Sequence, residues 1–207
     1  MDFRWAYKSA AASFSDLVHR LPPDGWDGAG LGEWSLRDLV GHSTSSALRQ
    51  VPVVLGSPGS GVAVDSPEGY WAFARSAPPE LVAAARAAST DDARSTGVSL
   101  GDDPSAVVTD HAREATRVLS TVGDADVIAT PVGGMRVRDW IPTRTFELVV
   151  HGLDVAAAAR IPVEYAAEVV AEVTMQAARV AATGGDATLV LRALTGRASL
   201  APGFSVV

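Results

Sequence analysis

The segment from Trp140 to Ala158 puts four ionisable side chains in one row on an otherwise apolar helix. Steps of four and three residues pick out Trp140, Arg144, Glu147, His151, Asp154 and Ala158, which share one helical face. Their neighbours are Ile141, Phe146, Leu148, Val149, Val150, Leu153 and Val155. A helix apolar on nearly every side belongs in an interior. Arg, Glu, His and Asp lined up there are costly unless they pair with one another or bind an ion. Two readings satisfy this constraint. Arg144–Glu147 and His151–Asp154 form two intrahelical ion pairs on a half-exposed face, each worth little. Alternatively, Glu147-x-x-x-His151 supplies two ligands of a metal site from adjacent turns. The spacing leaves both open.

The rest of the chain predicts the helices among which this one packs. Phe3, Ala6, Ala10, Phe14, Leu17 and Leu21 keep helical spacing up to Pro22-Pro23. Ser35 reads as an N-cap with Asp38 in a capping-box position, opening a second helix from Leu36 to about Val51 that Pro52 and the Gly56–Gly61 stretch bring to an end. Pro67 to Phe73 is ambiguous, and Pro79 to Arg94 is Ala-rich and helical in propensity. Pro104 opens a helix with the apolar stripe Val108, Ala112, Ala115, Leu119 and Val122; Gly123–Gly134 is a loop or a short extended pair. After Ile161-Pro162, a helix over Glu164–Ala182 and a short one ending at Leu194 complete the pattern. The fold class expected is all-α, with a four-helix bundle at its centre.

Composition narrows the chemistry. The chain of 207 residues has no cysteine, which excludes disulfides, thiolate metal ligands and a protein-borne cysteine nucleophile. A net charge of −7 with no basic run argues against binding nucleic acid or an anionic membrane. The N-terminus lacks the apolar region of a signal peptide, and no run of about 18 apolar residues occurs, so the expected location is cytoplasmic. A metal site needs a third ligand, and the only histidines are His19, His42, His111 and His151. His42 is the best candidate, because Gly41, Ser43, Thr44, Ser45 and Ser46 around it let another helix or a ligand come close. His19, beside Arg20 at a helix end, reads as a solvated residue. His111-x-x-Glu114 has di-iron spacing, but the second copy such bundles need is missing, so it reads as an exposed helix face.

Two segments together resemble a known family. Glu33-Trp34-Ser35-Leu36-Arg37-Asp38-Leu39-Val40-Gly41-His42 is similar to the second-helix signature of the mycothiol-dependent maleylpyruvate isomerase family. Gly134-Met135-Arg136-Val137-Arg138-Asp139-Trp140, continuing through Arg144, Glu147, His151-Gly152-Leu153-Asp154 and Ala156, resembles its fourth-helix signature. The resemblance spans residues 1–160 and implies a DinB-like bundle of metal-dependent thiol transferases. It implies His42, Glu147 and His151 as three metal ligands, normally for zinc, with nickel or another divalent transition metal as the alternative. Three ligands and an open position make a catalytic arrangement. It also implies mycothiol as the cosubstrate that brings the thiol. Asp154 is then expected to orient an imidazole, and Arg144 to pair with Glu147 or to meet a substrate carboxylate; these two are the catalytic candidates. Isomerases of this family carry a sizeable second domain, and Leu191-Arg192-Ala193-Leu194-Thr195-Gly196-Arg197 resembles its closing segment. Residues 161–207 are therefore expected to be a reduced helical extension packed on the bundle, with Arg192 and Arg197 solvated. The function expected is a zinc-dependent thiol S-transferase or isomerase acting on a small electrophile. A non-catalytic metal- or ligand-binding module and a zinc-dependent hydrolase are the alternatives. The partners expected are the electrophile and the low-molecular-weight thiol, with a homodimer as the alternative to a monomer.

Overall fold

The computed structural model describes residues 1–207, the side chain of Ala74 excepted. Helix α1 (Phe3–His19) is capped by Asp2, whose carboxylate accepts from the Arg4 N–H. The capping box at Ser35 and Asp38 forms on both sides and starts α2 (Leu36–Thr44). The second helix does not stop near Val51. It passes through a π-helical turn, Ser45–Arg49, and continues as α3 (Gln50–Leu55), with Pro52 in the first turn of α3, where a missing N–H is tolerated. In the π-turn the Gln50 N–H returns five residues, to the Ser45 carbonyl. Side chains take up two of the carbonyls that follow: Tyr7 Oη donates to Ala47 O at 2.7 Å, and Arg144 Nη1 to Ser46 O at 2.9 Å. This turn is therefore held by α1 on one side and by the stripe helix on the other.

The ambiguous segment is a helix, α4 (Pro67–Ser76), capped by Ser66. Helix α5 (Pro79–Ser99) runs five residues beyond Arg94 and is followed by α6 (Pro104–Leu119). Strands β1 (Val127–Thr130) and β2 (Gly133–Arg136) pair antiparallel, so the extended alternative for this stretch is the one adopted. They lead directly into α7 (Val137–Ala159), which begins three residues before Trp140 and accommodates Pro142 in its second turn. Helices α8 (Ala167–Thr183) and α9 (Ala187–Leu194) close the chain.

The bundle is a ring in which α1 touches α6 and α7, and the rod α2–π-turn–α3 bridges between α6 and α7. Tyr7, Phe14, Leu39, Leu48, Trp140 and Leu148 fill its interior. Around this ring, α5 lies along α2, α4 sits against α7 and α8, and α9 rests on α8. Among the described residues, no helix is long and apolar enough to cross a membrane.

Outside the ring, α5 approaches α2 closely. A Cβ on Gly41 would collide with the backbone of Ala93 and Gly97, and one on Gly97 would meet the Arg37 carbonyl. The two glycines let the helices touch backbone to backbone next to His42. Gly41→Ala should lower the unfolding free energy by about 1–3 kcal/mol, because neither backbone can move aside cheaply. The readout is a lower denaturant midpoint at unchanged slope; a midpoint equal to that of the native chain would show that the crossing yields.

Candidate metal centre

Helices α2 and α7 pack side by side, and this contact brings His42, in the last turn of α2, opposite Glu147 and His151 on α7. The Glu147 Oε2 atom lies 3.2 Å from His151 Nε2 and 3.8 Å from His42 Nε2. One donor atom from each of the three residues falls within 4.8 Å of the others. Donors bound at about 2.0–2.2 Å in a tetrahedron stand about 3.4 Å apart, so this spacing fits a single ion with little adjustment. The side chains are 15 %, 12 % and 18 % exposed for His42, Glu147 and His151, which rules out the half-exposed face.

The outer nitrogens of both imidazoles are also engaged. His151 Nδ1 lies 3.1 Å from Asp154 Oδ2, and His42 Nδ1 lies 3.4 Å from the Ser89 hydroxyl on α5. Each ring thus turns Nδ1 outward and Nε2 toward Glu147. The Trp34 ring, 4.8 Å from that of His42, backs the imidazole from the loop before α2.

The environment drives the two histidines apart. Burial, reinforced by the neighbouring His151, lowers the His42 pKa to about 4 and keeps its imidazole neutral. Burial acts on His151 in the same sense, but hydrogen bonds to Asp154 and Glu147 outweigh it and push the pKa up to about 9. For Glu147, burial favours the acid, yet the His151 hydrogen bond and the Arg144 charge prevail and hold the carboxyl below its ordinary value. Without a metal, a His151 imidazolium therefore sits against an ionised Glu147.

Arg144 does not pair with Glu147. Its Nε donates to Thr143 Oγ1 at 3.0 Å, and Nη1 donates to Ser46 O and to Gln50 Oε1 at 3.1 Å. The rings of Tyr70 and Trp140 lie 5.0 and 5.4 Å from the guanidinium carbon. Arg144 lies on the face that the spacing picks out but takes another partner, because the π-turn offers a carbonyl closer to the guanidinium than any carboxylate.

A cavity of about 500 Å³ opens beside the three residues. Part of its wall comes from elements the sequence did not connect with the site: Tyr70 of α4, and Ser89 and Asp92 of α5. Arg49 and Asp92 pair across its mouth at 2.5 Å. The polar positions of α5 look like any solvated helix face, and no spacing within one helix signals a contact with another. Among the described residues, none after His151 lines the cavity. Arg192 and Arg197 are exposed and bond only within their own turn, as expected. His111 is half-buried rather than exposed, and Glu114 is committed to Arg117, so no second cluster of ligands forms among the described residues. His19 is solvated beside Ser105.

His151 binds its proton more tightly in the fold than in the unfolded chain, where imidazole titrates near ~6.5. Its contribution to stability is complete below about pH 6.5 and is lost as the pH rises through about 9. Chelator-treated protein should accordingly lose stability between these limits, and Asp154→Asn, which weakens the hold on the proton, should flatten the decline. Denaturant midpoints measured across this range test it. Parallel curves for the two proteins would show that Asp154 does not hold that proton.

No curated protein and no solved structure matches the chain. A family model described as the mycothiol maleylpyruvate isomerase N-terminal domain matches residues 7–156, a stretch that takes in α2, the cavity and the stripe of α7. With most of its length so matched, and with the helical bundle it forms, the chain belongs to the mycothiol maleylpyruvate isomerase N-terminal domain family.

Proposed function

We propose that this protein is a zinc-dependent S-transferase that presents a low-molecular-weight thiol of the mycothiol type to a small electrophile. The observation that carries this reading is the convergence of His42, Glu147 and His151 at a cavity of about 500 Å³. Two imidazoles and a carboxylate suit zinc, and three protein donors leave one position for an exogenous ligand. A chain without cysteine has to take its thiol from outside. Zinc, when bound, supplies a Lewis acid that keeps a thiol sulfur ionised near neutral pH.

The chain's own residues prepare the site. Asp154 fixes the His151 ring so that Nε2 stays on the ligand side, and Ser89 does the same for His42. Burial keeps His42 neutral and ready as a donor, while Glu147 is ionised already. His151 is the exception, since it must first give up a proton. Zinc binding at pH 7 should therefore release about one proton, measurable by calorimetry in buffers of different ionisation enthalpy. No release would mean that His151 is neutral beforehand or does not bind.

A second reading has its own support. Nothing from α8 or α9 covers the cavity, which suits a binding or regulatory module that keeps the metal and lacks the reaction. The deciding experiment combines metal content with turnover. Protein purified without chelators should hold about one zinc per chain. It should consume an epoxide or chloro-arene only when thiol is added, and His42→Ala should lose both metal and turnover. Zinc without turnover would favour the module, turnover without thiol would favour hydrolysis, and a chain that cannot be loaded with zinc or nickel would sink the metal site itself.

A further inference from the structure

Two glycines follow α8, and the backbone requires only one of them. Gly185 has a φ of +91°, which side chains rarely adopt, whereas Gly184 has φ −79° and ψ −4°, open to any residue. What keeps Gly184 bare is Arg75, in the last turn of α4. A Cβ on Gly184 would run into the guanidinium, which lies against its backbone. From there Arg75 reaches two further points of the closing segment. Its Nη2 lies 3.4 Å from Asp186 Oδ2, and its Nη1 donates to Val206 O at 3.3 Å. At the other end of α4, Glu68 lies 3.7 Å from Arg179 of α8. A single exposed ion pair contributes little, but one guanidinium fork that joins three points of chain is a firmer tie. Both ends of α4 are thus fastened to residues 161–207, none of which lines the cavity among the described residues.

Between these ties α4 turns two aromatic rings inward. Trp71 packs on Phe146 of α7 with ring centroids 5.4 Å apart, and Tyr70 lines the cavity with its ring 5.0 Å from the Arg144 guanidinium carbon. The stretches on either side of α4, 56–66 and 77–78, are irregular, so the course of the chain does not fix the helix. We propose that residues 161–207 serve the site through α4: the contacts of Arg75 and Glu68 hold this helix in place so that Tyr70 closes one side of the cavity. Arg75 is a positioning residue, and Tyr70 sets the room left for a ligand beside Arg144 and Gln50. That this ligand is the electrophile or the thiol rests on the thiol-transfer reading; the wall itself does not.

The chain has no cysteine, so Gln50→Cys places a single thiol on the cavity wall. Its rate of alkylation by iodoacetamide reports access to the cavity with neither metal nor cosubstrate present. In this background Arg75→Met and Gly184→Ala should each speed alkylation by about fivefold, the second by displacing the guanidinium with every charge kept. Tyr70→Ala should speed it at least as much. Arg75→Met added to Tyr70→Ala should bring no further gain, because Arg75 acts through the ring. Contacts that merely stabilise the fold would raise the rate equally in both backgrounds. A rate unmoved by Arg75→Met and Gly184→Ala, or a gain that persists without the Tyr70 ring, overturns the proposal. If Arg75→Met does not fold, Gly184→Ala decides by the same two comparisons. In turnover assays the same variants should raise KM more than they lower kcat. A chain without thiol-dependent turnover would lose its proposed function and keep this wall, and turnover with unmoved alkylation would do the reverse.

Discussion

A row of ionisable groups on the buried face of α7 sets the terms for everything packed around it. Arg144, Glu147, His151 and Asp154 occupy successive turns of a helix whose other sides are Ile141, Leu148, Val149 and Val155, all buried. Such groups cannot be left uncompensated in an interior. The bundle answers at each level of the row. The π-turn brings a carbonyl to Arg144, α2 brings His42 to Glu147, and Asp154 accepts from His151 one turn further on. The helix pairs of the bundle are thus matched by polarity as well as by shape.

The irregularity of the second helix follows from the same requirement. A regular α-helix through Ser45–Arg49 would spend the Ser46 and Ala47 carbonyls on its own amides. In the π-turn these two carbonyls accept from Arg144 and Tyr7. A wide turn of this kind is uncommon and often marks a functional segment. Here it begins three residues after His42 and contributes Ser45, Ser46 and Arg49 to the cavity wall. The course of the second helix and part of the cavity lining thus share one local change of register.

The two histidines differ because their outer nitrogens meet different partners. A carboxylate behind His151 favours the imidazolium, whereas His42 has only a hydroxyl behind it, and burial together with the His151 charge outweighs the pull of Glu147 and Asp92. The metal-free centre is therefore a neutral imidazole, a carboxylate and a charged imidazole, already arranged with one donor atom each facing inward. Little reorganisation separates this state from a set of three ligands, apart from one proton.

The sequence alone determined whatever is local. The Glu147–His151 spacing, the Asp154 step, the capping box at Ser35 and the small residues around His42 all act within a turn or two of chain, where helical geometry dictates who is near whom. The pairing of the two signature segments, read through a family resemblance, then placed His42 with the α7 residues, and the structure brings those three together. Tertiary structure decided what happens between helices. That Arg144 turns to Ser46 and Gln50 and leaves Glu147 alone, that Tyr70, Ser89 and Asp92 wall the cavity, and that the second helix widens before Pro52 depend on contacts between residues far apart in sequence. Periodicity records which face of a helix is buried. It carries no record of which neighbour covers that face, because a polar side chain on the surface and one aimed into a cavity obey the same repeat.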